Sequence, residues 1–69
     1  MMTNNHHYLR AWRQKRDFTQ EMLGDMIGRV KQTIWRYEAG QSDIPIRVLN
    51  KLAIALNTSR TNILDNPPD

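Results

Sequence analysis

The chain contains no cysteine. No disulfide staples it, no thiolate is at hand to complete a metal site, and the absence is compatible with a reducing cytoplasm. The longest apolar runs are only a few residues, which excludes a membrane-spanning helix and a secretory signal segment and points to a soluble cytoplasmic protein. Also missing are a Ser-His-Asp order, a phosphate-cradling glycine loop and a convincing carboxylate pair, so the sequence does not read as an enzyme. His6 and His7 adjoin, but neighbouring residues on a helix point different ways and no nearby acid completes a ligand set; both read as inert surface. No cofactor, metal or small-molecule ligand is expected, because 69 residues enclose little pocket.

Shortness also limits the organisation. A chain of 69 residues makes one domain, near the size at which a single core is only marginally stable. No repeat or low-complexity tract interrupts it, and the only linker-like pieces are residues 1–5 and 66–69. The ordered part is therefore expected over about 6–65, with loose ends on either side. On this reading no carboxyl-terminal sensor or oligomerisation domain is expected. What the chain does have is positive charge: ten Lys and Arg against seven Asp and Glu, a net charge of +3 and a pI near 9.8. That balance suits a polyanionic partner. Position says more than the total. Arg10, Arg13, Lys15 and Arg16 crowd the first helical segment, Arg29, Lys31 and Arg36 crowd the middle, and Arg47, Lys51 and Arg60 are spread through the rest.

The middle is the most informative stretch. Residues 18–40, FTQEMLGDMIGRVKQTIWRYEAG, read as two short amphipathic helices joined by a tight turn at Gly28. The first starts at an N-cap, Thr19, and carries Met22, Leu23, Met26 and Ile27 at helical spacing. Gly24 lies inside it, where glycine costs about 1 kcal/mol relative to alanine, so a close backbone crossing, by a second helix, is the expected reason. Gly28 follows the last apolar residue, where a positive φ ends the helix and turns the chain. Helical spacing resumes from Lys31. Ile34 and Tyr37 face inward, leaving Lys31, Gln32, Trp35 and Arg36 on the wet side. This is the outline of a DNA-reading helix-turn-helix.

On these residues the chain resembles the small phage Cro and repressor DNA-binding domains, the Xre-type helix-turn-helix group. The resemblance runs from about residue 9 to 64. It is carried by Arg13, the Thr19-Gln20-Glu21 start, Leu23, Gly28, Thr33-Ile34, Arg36, Glu38 and Gly40, then Leu52-Ala53 and Leu56. It implies an all-α, compact five-helix, lambda-repressor-like fold, with helices near 6–16, 19–27, 31–38, 45–56 and 60–65 and the motif at helices 2 and 3. The chain departs from the family in three places. Gly24 stands where alanine is commoner, Arg29 and Val30 replace an apolar residue and a Ser or Thr cap, and Trp35 stands where a small polar residue is usual. The expected core is Leu9, Trp12, Phe18, Leu23, Ile27, Ile34, Tyr37, Ile46, Leu49, Leu52, Ala53, Leu56, Ile63 and Leu64.

The resemblance also assigns roles. Base contacts fall to Lys31, Gln32, Trp35 and, at the margin, Arg36. Lysine can donate to guanine O6 or N7 and glutamine can pair with adenine N6 and N7, while an indole suits a thymine methyl or a sugar. A phosphate contact is the other reading of Lys31, and a partly buried aromatic the other reading of Trp35. Phosphate contacts fall to Thr19, Gln20, Arg29, Ser42 and Arg47, with Gln20 favoured by its place at a helix N-terminus. Arg13 and Glu38 are implied to form a buried structural ion pair. Ile54 lies off the apolar stripe, and with Asn57, Thr58 and Arg60 it marks a possible dimer surface. The expected function is a Cro-like repressor, dimeric on a two-fold double-stranded DNA operator, with helix 3 in the major groove. The rival reading is a protein-interaction module on the same fold, anchored by Trp35. RNA binding is weaker, because A-form RNA closes its major groove to a helix.

Overall fold

The computed structural model describes residues 7–69. Five α-helices and no strand occur among these residues: α1 (Leu9–Lys15), α2 (Gln20–Ile27), α3 (Lys31–Glu38), α4 (Ile46–Ala55) and α5 (Arg60–Asp65). The expectations for residues 1–5 and for His6 fall outside the described residues. At the other end, the Asn66 carbonyl accepts a hydrogen bond from the Trp12 indole at 2.8 Å.

One device closes four of the five helices. Asp17, Gly28, Gly40 and Asn57 follow α1, α2, α3 and α4 with φ of 59°, 74°, 75° and 53°. In each case the next residue's N–H returns to a carbonyl of the last turn: Phe18 to Arg13, Arg29 to Gly24, Gln41 to Arg36 and Thr58 to Ala53, at 2.8 to 3.1 Å. These bonds satisfy carbonyls that a helix end otherwise leaves open, and they turn the chain sharply. Glycine takes the left-handed conformation freely, whereas a Cβ makes it cost about 1–2 kcal/mol. Replacing Asp17 by glycine should relieve that strain, against about 1 kcal/mol of extra freedom in the unfolded chain. The net gain, about 0.5 kcal/mol, should appear in a thermal melt as a Tm rise of about 2–4 °C.

Leu9, Leu23, Ile34, Leu52, Leu56 and Ile63 are fully buried, and Ile27, Tyr37, Val48, Leu49 and Ala53 complete the core. Two expected members are elsewhere. Ile46, in the first turn of α4, is 59% exposed, and Leu64 is also exposed. Val48, not expected inside, replaces Ile46. Trp12 and Phe18 pack against the core from its margin, and the Trp12 N–H is spent on the Asn62 and Asn66 carbonyls. A ring whose polar edge must find partners settles naturally at a boundary.

His7 also differs from expectation. It is half-buried, its Nδ1 accepts the Leu9 N–H at 3.3 Å, and its Nε2 lies 3.1 Å from the Tyr37 carbonyl. Because Nδ1 accepts, Nε2 carries the proton and donates it. The ring thus ties the start of α1 to the last turn of α3.

Gly24 is buried where α2 meets the turn that follows it. A Cβ built there would stand 2.6 Å from the Arg29 carbonyl oxygen and 3.3 Å from the Val30 carbonyl carbon. The close crossing is therefore made by the turn leading into α3, not by another helix, and alanine has no room. Gly24→Ala gains about 1 kcal/mol of helix propensity, but displacing backbone costs about 1–3 kcal/mol. At so short a contact the clash should prevail, with Tm falling by about 5–10 °C.

Candidate nucleic-acid interface

α3 owes its place to Ile34 and Tyr37, which are buried, while Lys31, Gln32, Trp35 and Arg36 are exposed. Residues three and four apart share a helical face, so these four form one surface, continued by Ala39. The helix begins without a side-chain cap. Val30 is its N-cap residue and offers only its carbonyl, which accepts the Thr33 N–H at 3.0 Å.

The preceding helix is capped. Thr19 Oγ1 accepts the Met22 N–H at 3.0 Å, and the Met22 thioether lies 3.5 Å from the Thr19 N–H. This is a capping box with sulfur where Glu or Gln is usual. The Thr19 hydroxyl keeps its own proton for an outside acceptor.

Gln20, next along, is half-buried and donates through Nε2 to Glu38 Oε1 at 3.1 Å. Glu38 is the hub of the site. Arg13 donates to it through Nε at 2.6 Å and Nη2 at 3.0 Å, and Nη1 of the same guanidinium reaches the Phe18 carbonyl at 2.9 Å. The two side chains are 11% and 5% exposed. A bidentate, charge-assisted pair of this kind fixes orientation as well as distance. It joins α1, the approach to α2 and the end of α3 into one rigid corner.

Above this corner lies a cleft of about 160 Å³ lined by Arg10, Gln20, Trp35, Glu38 and Ala39. Arg10 was not expected at the site. The signal for it was available, since it lies one helical turn before Arg13 and so on the same side of α1.

The remaining site residues are more scattered. Arg29 is exposed in the turn, with Nη1 3.2 Å from the Gly28 carbonyl. Ser42 and Arg47 are exposed before and within the first turn of α4. Ile54 is 81% exposed on α4. Asn57 and Arg60 are exposed and Thr58 half-buried around the connection to α5, well along the chain from the α3 face. Among the described residues, no three His, Asp or Glu side chains are grouped to hold a metal, and no helix is long and apolar enough to cross a membrane.

A helix-turn-helix family model matches residues 9–63. No match was found among the curated proteins.

Proposed function

The chain belongs to the Cro/C1-type helix-turn-helix family, and from that premise we infer that it is a sequence-specific regulator, a Cro-like repressor of phage or prophage type that binds a two-fold operator. The family is one of DNA-binding regulatory domains rather than enzymes, and no catalytic step is assigned.

The observation that carries the reading is the exposed face of α3. Its inward side is fully used by Ile34 and Tyr37, and its outward side carries donors suited to base edges. In this reading α3 enters the major groove, with Lys31 and Gln32 in its first turn reading bases and Arg36 one turn later at the margin. Thr19, Gln20, Arg29, Ser42 and Arg47 contact phosphates, which supply most of the affinity and nearly all of its salt dependence. One domain of this size covers half a site. The exposed Ile54, with Asn57, Thr58 and Arg60, meets the same surface of a second copy, as a two-fold interface requires.

Selection of bound sites from random duplex DNA at near-physiological salt tests this reading. An inverted repeat with half-sites about 10 bp apart is the expected product. Weak, salt-sensitive binding without enrichment would overturn it and turn attention to a protein partner at Trp35.

A further inference from the structure

We propose that the cleft between α1 and the last turn of α3 holds one backbone phosphate of the bound DNA, with Arg10 as its cation and the Trp35 indole as its wall. The inference rests on the DNA-binding reading above, adds to it a residue, Arg10, and places Trp35 on the sugar-phosphate backbone rather than on a base.

The argument begins with charge. Glu38 lines the cleft, and an unpaired carboxylate there would repel a phosphate. It is not unpaired. Arg13 holds it through two N–H donors and Gln20 through a third, so its charge is neutralised by Arg13. Arg10 then lines the cleft as a second guanidinium alongside a single carboxylate, and the lining with its Arg13 partner keeps a net positive charge. Arg10 is exposed, and among the described residues it has no ion-pair partner.

Shape and donors agree with this. A guanidinium offers a planar fork that matches two phosphate oxygens. Gln20 keeps a second amide proton after its bond to Glu38, and the Trp35 N–H has no acceptor among the described residues, unlike that of Trp12. An indole has one donor and no acceptor, so it cannot read the paired donor and acceptor pattern of a base edge. Lining the cleft with Arg10 of α1, and half-exposed at 48%, it suits packing on a deoxyribose while its N–H serves the phosphate. Trp35 then grips the backbone, and the reading of bases is left to the first turn of α3.

The test measures affinity against salt concentration for the full chain, Arg10→Ala, Trp35→Ala and Trp35→Phe, each on its selected site and on an unrelated duplex. Circular dichroism confirms that each variant is folded, as its exposed position leads one to expect. Loss of one phosphate contact should lower the salt slope of Arg10→Ala by about 1 and its affinity about five- to tenfold near 0.1 M salt, equally on both duplexes. Trp35→Ala should weaken both duplexes by one common factor, and Trp35→Phe, which keeps a wall but loses the N–H, should weaken them less. An unchanged slope in Arg10→Ala overturns the proposal, as does a Trp35→Ala variant that prefers a different base at any position. If the unsubstituted chain binds no duplex at all, the DNA reading falls and the cleft assignment with it. Wild-type binding with an unaltered Arg10→Ala slope overturns the cleft alone.

Discussion

Glu38→Ala should leave a large fraction of the protein unfolded at room temperature. The substitution removes the acceptor for three hydrogen bonds, two from Arg13 and one from Gln20, and leaves the Arg13 guanidinium at 11% exposure with only the Phe18 carbonyl as partner. Breaking a buried pair from one side costs about 3–5 kcal/mol. A domain of this length has a total stability of about 3–10 kcal/mol, so the loss is comparable to everything the fold has. Urea denaturation followed by circular dichroism should show the midpoint shifted far down or absent. The double substitution Arg13→Met with Glu38→Leu should recover most of the loss, because a well-packed apolar pair carries no desolvation penalty. If Glu38→Ala costs under about 1 kcal/mol, the pair behaves as a surface salt bridge and the corner it joins is not rigid. Lost DNA binding in Glu38→Ala would report unfolding, since this side chain is 5% exposed and both its oxygens are held by Arg13 and Gln20.

Gln32→Ala should act in the opposite way, sparing the fold and removing specificity. Gln32 is exposed on α3, so thermal stability should stay within about 0.5 kcal/mol of the parent. One good bidentate base contact is worth about 1–3 kcal/mol of discrimination, or about 5- to 150-fold in affinity for the selected site. Affinity for unrelated duplexes and the salt slope should stay the same, because a glutamine neutralises no phosphate. Comparing binding isotherms on the selected site and on one carrying a changed base checks this. Equal weakening on both would move Gln32 from base reading to backbone contact. A chain insensitive at Lys31 and Gln32 but highly sensitive at Trp35, toward a protein ligand, would favour the interaction-module reading.

Features that depend on a few neighbouring residues were legible in the sequence. The Thr19 cap, the Gly28 turn and the burial of Ile34 and Tyr37 follow from spacing and backbone preference within one or two turns. The same local logic failed in α4, where Ile46 lies closer by helical angle to the stripe of Leu49, Leu52, Ala53 and Leu56 than Val48 does. Periodicity fixes which side of a helix is apolar. It does not say how far along that side the packing extends, and in the fold Val48 is buried while Ile46, in the first turn, is not.

The family resemblance implied five helices and their order; the residues by themselves determined the two helices of 18–40, the glycine turn between them, and an outer helix face rich in donors. These are consequences of propensity, capping and period, which act over a few residues at a time. Only the tertiary structure decided that Gly24 must lack a Cβ because the Arg29 carbonyl crosses it, that His7 ties α1 to α3, and that Glu38 is shared by Arg13 and Gln20. It alone brought Arg10 beside Trp35. All but the Gly24 contact depend on groups far apart in the chain approaching one another, and such approaches are set by how the helices pack, which no local pattern records.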